Sequence, residues 1–305
     1  MNSIQYHFYF YPPNYVIYED YFIFECKFNE PLDNFIKIIK NYKKLVFSDY
    51  YNIEEFVKNN FHSEKILFGS EFNKPLGNNF SELSCLEQLN FGCKFNQELK
   101  DSLLGLTNLT KLKFGVQFDQ YLLDSLSSLI NLTKLEFGDN FNRSLGDSLS
   151  NLINLTKIKF GWYFNQSLED SIFGLKKLNQ LEFGHNFNQP IQKSLSYLTN
   201  LTKLILGGEF NQSLELPSNI KILKLNCLKY LSLIDNLPNS IEELYLGINF
   251  NYELNNLPNS IKVIEFDDKS IFDKEMNNLP KSLEKIILPI NHRKQISIYG
   301  CKIIK

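Results

Sequence analysis

Apolar and polar residues follow a fixed pattern along most of the chain, and the stretch 132–154 shows it most clearly. Leu132, Leu135 and Phe137 are apolar on a Leu-x-x-Leu-x-Leu spacing, with the charged Lys134 and Glu136 between them. Such alternation predicts a short strand, with one set of side chains turned inward and the other outward. Gly138 follows, and the expectation is that it lets the backbone turn away from the strand without a Cβ penalty. Phe141 and Asn142 come next, and then Asp147-Ser148-Leu149, whose small polar residues suit the start of a helix. Each unit is therefore expected to hold a strand, a turn and a short helical or 3₁₀ return.

The unit recurs. Gly69, Gly92, Gly115, Gly138, Gly161, Gly184 and Gly207 stand 23 residues apart, and three residues after each comes Phe72, Phe95, Phe118, Phe141, Phe164, Phe187 or Phe210. Asparagine follows each phenylalanine, except where Asp119 replaces it. A period of this length marks a solenoid, whose units bury their apolar faces only by stacking on neighbours. Stacked phenylalanines would form an aromatic spine. The asparagines are placed to satisfy backbone groups of the turn and of adjoining coils.

Departures from the pattern divide the chain. Residues 1–17, with Tyr6, Phe8 and Phe10 alternating before Pro12-Pro13, read as an N-terminal cap; 18–68 hold degenerate coils, and 69–214 the regular ones. In 215–288 a Leu-Pro-x-Ser motif, as in Leu237 to Ser240, replaces the helical return, the period shortens, and proline implies an extended return. Residues 289–305, around Ile296, Ile298, Cys301 and Ile303, read as a C-terminal cap. The fold expected is one α/β solenoid, a curved leucine-rich-repeat-like array with a parallel sheet on its concave face. Its strand anchors suggest about 13 coils and a length of roughly 60 Å.

Composition excludes several classes of function. Lysine is common, arginine occurs only at 143 and 293, and the formal net charge is −2, so no global bias draws the chain to nucleic acid or membrane. The N-terminus lacks the pattern of a signal peptide, and no apolar run is long enough for a membrane span; an intracellular, cytoplasmic protein is expected. Cys26, Cys85, Cys93, Cys227 and Cys301 are odd in number and contain no Cys-x-x-Cys pair, which suggests buried free thiols. The Asn-x-Thr triplets, such as Asn131-Leu132-Thr133, recur because the repeat does, and are not read as glycosylation sites. His7, His62, His185 and His292 are scattered, and the pair Gly207-Gly208 opens no phosphate loop. No catalytic, cofactor or metal site is expected, and hence no enzyme.

Function is left to the outward positions. Lys111, Lys113, Lys134, Lys157 and Lys159, interrupted by Glu136, would share the concave face and suit an acidic partner. Trp162, Tyr163 and His185 fall at variable positions just after their strands, and Trp162, the only tryptophan, is the best candidate for a binding anchor. Farther along, Ile205, Ile222, Tyr245, Val263 and Ile287 make the outward face apolar, as either a partner strip or drift of the repeat.

The recurring Phe-Asn-x-Pro/Ser-Leu, as in Phe28 to Leu32, Phe72 to Leu76 and Phe187 to Ile191, together with Leu237 to Phe250, resembles the FNIP repeat, a relative of the leucine-rich repeats. That resemblance implies a protein of social amoebae or of giant viruses that infect them, and a non-enzymatic protein–protein interaction scaffold. Many relatives carry an F-box and present targets to a ubiquitin ligase. No F-box motif stands before Phe22, so the alternative implied is a substrate-recognition subunit that meets ligase components without its own F-box.

Overall fold

The computed structural model describes residues 15–18, 21–24, 28–32, 35–39, 44–47, 70–77, 81–84, 86–168, 170–226, 234–293 and 300–304. The chain divides into two compact units, Met1–Gly161 with Asp170–Leu175, and Trp162–Glu169 with Lys176–Lys305.

In the first unit, β1 (Tyr15–Tyr18) pairs antiparallel with β2 (Tyr21–Phe24), which pairs parallel with β3 (Lys44–Phe47). The short helix α1 (Ile36–Ile39) lies between β2 and β3. The regular strands follow as β4 (Gln88–Asn90), β5 (Lys111–Lys113), β6 (Lys134–Glu136) and β7 (Lys157–Lys159). The second unit holds β8 (Gln180–Glu182), β9 (Lys203–Leu206), β10 (Ile222–Leu225), β11 (Glu243–Leu246), β12 (Val263–Phe266), β13 (Lys285–Ile287) and β14 (Lys302–Ile304). Among the described residues the parallel strands make a solenoid of about 9 turns, slightly fewer coils than the approximately 13 expected. The N-terminal stretch Met1 to Asn14, the coil around Asn52, Gly69, and Ile296 and Ile298 of the C-terminal cap lie outside the described residues.

Strand registers keep the apolar set inward. Leu112, Leu135 and Ile158 are in register and buried, while the lysines on either side of them face out. Two files of phenylalanine fill the first unit. Phe72, Phe95, Phe118 and Phe141 stack at 6.0, 6.1 and 6.1 Å between ring centroids, and Phe91, Phe114, Phe137 and Phe160 at 5.4, 5.6 and 5.3 Å. The files touch each other, as at Phe137–Phe141, 4.2 Å. In the second unit Phe164, Phe187 and Phe210 stack at 6.0 Å steps, and in a later coil His292 takes the place of a phenylalanine, buried 5.6 Å from Phe272. Aromatic pairs of this kind add about 0.5–1.5 kcal/mol beyond their buried area.

The returns are strings of tight turns rather than helices. Ser102 N–H donates to the Leu99 carbonyl, Leu104 to Asp101 and Leu106 to Leu103, at 3.0, 3.1 and 3.0 Å. Among the described residues one regular coil closes a helical turn in its return, α2 (Gln192–Ser196). In the proline-bearing coils, one turn from Pro238 to Ile241, or from Pro258 to Ile261, leads into the strand, preceded by another turn at 235–236 or 255–256.

The repeated glycine serves a purpose other than the one its position suggests. None of Gly115, Gly138, Gly161 and Gly207 has a positive φ; instead a Cβ on each would stand 1.7, 1.7, 2.0 and 1.8 Å from the carbonyl oxygen of the glycine one coil earlier. The left-handed residue of the coil falls at Gly77, Lys100, Leu123 and Gly146. Gly138→Ala should therefore destabilise the fold by about 2–4 kcal/mol, because backbone must move to admit the methyl group. Gly174, whose Cβ would meet only Ser150 O at an ordinary 3.6 Å, should accept alanine within about 0.5 kcal/mol. Chemical denaturation of the two variants measures the contrast.

Candidate functional site

Each coil is tied to the one before by side chains of its turn and return. Asn73 Oδ1 accepts the N–H of Asn96 at 2.9 Å, Asn96 that of Asp119 at 2.9 Å, and Asp119 that of Asn142 at 2.9 Å. The same ladder runs from Asn165 to Asn188 and Asn211 in the second unit, at 2.9 and 2.7 Å. Gln97 and Gln120 also donate to the asparagine oxygen below them, at 2.9 Å each. Where Asp119 replaces asparagine, the residue in the glutamine's place is Arg143, whose Nη2 lies 2.8 Å from Asp119 Oδ2. The Asn-Leu-Thr triplets serve the same end: Asn131 Nδ2 donates to Thr107 O at 3.0 Å and Thr133 Oγ1 to Thr110 O at 2.9 Å.

Of the residues singled out from sequence, the lysines and Glu136 come together on the outward face of the first unit. Lys111, Lys134 and Lys157 are in register on adjacent strands, and beside them run Lys113, Glu136 and Lys159. One file is wholly cationic and the other alternates in sign. Glu136 Oε1 lies 3.8 Å from Lys157 Nζ, a pair with both side chains about three-quarters covered. Lys113, Lys134 and Lys159 are exposed, while Lys111 and Lys157 are half-buried. One carboxylate among five lysines leaves the face strongly positive.

Trp162, Tyr163 and His185 belong to the second unit. Trp162 is 50% exposed and Tyr163 51%. The indole stacks on the His185 ring with centroids 4.5 Å apart and planes 26° apart. His185 in turn lies over Gly208, where a Cβ would come within 2.4 Å of the imidazole, and its Nε2 is 3.5 Å from Glu209 Oε1. The turn positions of three successive coils thus carry tryptophan, histidine and glycine, with Asn186 N–H bonded to Trp162 O and Glu209 N–H to His185 O, both at 2.9 Å. Gly208 and Glu209 were not among the sequence candidates. The pair Gly207-Gly208 was the available signal: Gly207 admits the backbone of the neighbouring coil and Gly208 admits a side chain.

The apolar outward positions Ile205, Ile222, Tyr245, Val263 and Ile287 are all half-buried. Tyr245 Oη donates to Glu243 Oε2 at 2.7 Å, and this bond, aided by burial, pushes the phenol up to about 12. The thiols depart from expectation: Cys93 is exposed because it occupies the same variable turn position as Trp162, and Cys301 is half-buried, with burial raising its pKa. Cys26, Cys85 and Cys227, and also His7 and His62, lie outside the described residues. Among the described residues no group of three or more histidine, cysteine or acidic residues is gathered as a metal site would require. No helix among them is long and apolar enough to cross a membrane.

Comparison with known proteins agrees with this geometry. Residues 232–269 match the model of the FNIP repeat. The chain carries an FNIP repeat. Outside that stretch the coils keep the same Phe-Asn core, and their fold is that of leucine-rich-repeat proteins. The giant-virus protein CroV588, a circular leucine-rich-repeat structure, is 26% identical with a TM-score of 0.56 over 95% of this chain and 54% of its own. This chain thus spans about half the length of that protein. An internalin, InlF of Listeria monocytogenes, is 15% identical with a TM-score of 0.54 over 93% of this chain and 86% of its own. Toll, from Drosophila and in complex with Spatzle, is 15% identical with a TM-score of 0.51, covering 90% of this chain and 41% of that one. The search of curated proteins by sequence returned no match.

Two outcomes are expected. Arg143→Gln and Asp119→Asn should each cost about 1 kcal/mol, while the double variant, which restores the pair seen in the coil below, should return most of that in a double-mutant cycle. In an ultraviolet titration, Tyr245 should ionise near pH 12 rather than near the usual 10, and Glu243→Gln should bring it back toward that value. Since the folded pKa is the higher, this bond's contribution to stability is full below pH 10 and is lost as pH rises through about 12.

Proposed function

We propose that the chain is a non-enzymatic scaffold whose outward sheet face receives an acidic segment of a protein partner. The observation that carries this reading is the file Lys111, Lys134 and Lys157, which repeats one lysine per coil in register on strands spaced ~4.8 Å apart. Neighbouring cations at that distance repel by somewhat under 1 kcal/mol in water, a cost that carboxylates of a bound segment would relieve. Lysine without arginine provides charge but no planar fork, which suits carboxylates better than base edges. The coils are joined chiefly by the asparagine, threonine and glutamine ladders, and among these lysines Lys157 also pairs with Glu136 of the coil before.

Trp162 stacked on His185 is a separate aromatic anchor, held in place before any partner arrives, as suits residues that dominate binding energy. Being the only tryptophan, it also reports its own surroundings by fluorescence. Toll, of the same fold, is seen with a protein partner.

The test is capture of host-lysate proteins by the full chain, read by mass spectrometry, with a labelled oligoglutamate peptide as a defined probe. Replacing Lys111, Lys134 and Lys157 with glutamate should weaken peptide binding at least about tenfold and abolish its salt dependence. Trp162→Ala should remove a subset of captured proteins without changing the melting temperature. Peptide binding that survives the triple replacement in a folded variant overturns the lysine surface. Recovery of ubiquitin-ligase components would identify the chain instead as a substrate-recognition subunit without its own F-box.

A further inference from the structure

The second unit carries a groove unlike the lysine face. Tyr245, Glu265, Ile287 and Ile304 are outward residues of adjacent strands, in register from β11 to β14, and they form its floor. Its volume is about 460 Å³. Asp268 and Ile290, from the turns after β12 and β13, make one wall and are joined by Ile290 N–H to Asp268 O at 3.2 Å. Ile290 is 69% exposed, an apolar side chain held over the groove with little cover of its own. Lys224 is the one cation of the lining, against Glu265, Asp267 and Asp268. Asp267 is committed to its own turn, accepting Lys269 N–H at 3.0 Å, which leaves Glu265 on the floor and the exposed Asp268 on the wall to meet a ligand.

We infer that this groove binds an extended peptide segment in which an arginine is flanked by aliphatic residues. Glu265 stands between Tyr245 on one side and Ile287 on the other, in a single file. An arginine reaching Glu265 can pair with the carboxylate through its fork and lay its plane on the Tyr245 ring, two contacts a lysine makes less well. The tyrosine ring is set for this by its bond to Glu243. Aliphatic neighbours of the arginine cover Ile287, Ile290 and Ile304 and remove apolar surface from water. Charge sets the occupant: within the lining an acidic segment would meet Glu265 and Asp268 with Lys224 as the one cation, while Lys285 and Lys302 stand in the neighbouring outward file beside the aliphatic end of the floor. The site is independent of the lysine ladder, which prefers the opposite charge.

Fluorescence anisotropy of the full chain tests this with a labelled octapeptide, Gly-Leu-Val-Arg-Ile-Leu-Ser-Gly, and a twin in which arginine is replaced by glutamate. The arginine peptide should bind and the twin should bind at least about tenfold more weakly. Glu265→Lys should weaken the arginine peptide by a similar factor with an unchanged melting temperature, and Glu265→Gln by less, whereas Lys134→Glu should leave it unaffected. Equal binding of both peptides, no binding of either up to ~1 mM, or undiminished binding to a folded Glu265→Lys variant overturns the proposal. So does loss of binding in Lys134→Glu, which would place the peptide on the lysine ladder.

Discussion

Everything in this molecule depends on how closely one coil can approach the next. A parallel strand pairs its backbone with its neighbours only over three or four residues, and the rest of each coil must find partners elsewhere. Glycine at the strand exit brings backbone within reach of backbone: a Cβ at Gly138 would meet Gly115 O at 1.7 Å. At that separation an asparagine side chain spans to the next N–H, and phenylalanine rings one coil apart fall at stacking distance. Spacing, amide ladder and aromatic files are thus three expressions of one distance. Changing it at one coil would disturb all three.

The frame was legible in the sequence because it is written many times. Inward Leu135, Phe137 and Phe141, outward Lys134 and Glu136, and asparagines that bond from coil to coil all follow from alternation and period. Two kinds of feature were not legible. The reason for the glycine depends on an atom in another coil, 23 residues away, and no local rule reveals it. Helical or 3₁₀ returns are expected from Asp-Ser-Leu triplets, and most coils take the tighter course, with N–H groups bonded three residues back; the helical turn at Gln192–Ser196 stands in a coil of the same 23-residue period, so coil length does not decide between the two. As for the candidate site, the in-register lysines could be placed from the period alone. The stacking of Trp162 on His185 over Gly208 required knowing that turn positions, as well as strand positions, sit above one another.

Separation of duties follows. Most side chains that join coils lie in the core or along the turn ladder, the Glu136–Lys157 ion pair being one that lies on the outward face, so most outward positions can vary without loosening the stack. The two units use that freedom differently: one presents lysines around a single glutamate, the other an apolar groove bordered by carboxylates. A stack built in this way can offer several unrelated surfaces on one backbone, each set by substitutions at positions outside the core and the turn ladder.

The pairing of Asp119 with Arg143 has a consequence for how such an array can change length. Most coils present the same acceptor to the coil above and the same donor to the coil below, so recombination between repeats could remove or add a whole coil and rejoin equivalent surfaces. Asp119 and Arg143 break that equivalence. Losing the coil that bears Asp119 would seat Arg143 over Asn96, a guanidinium without its carboxylate. The seam between those two coils is therefore a place where the repeats have ceased to be interchangeable, a fixed point in an otherwise modular stack.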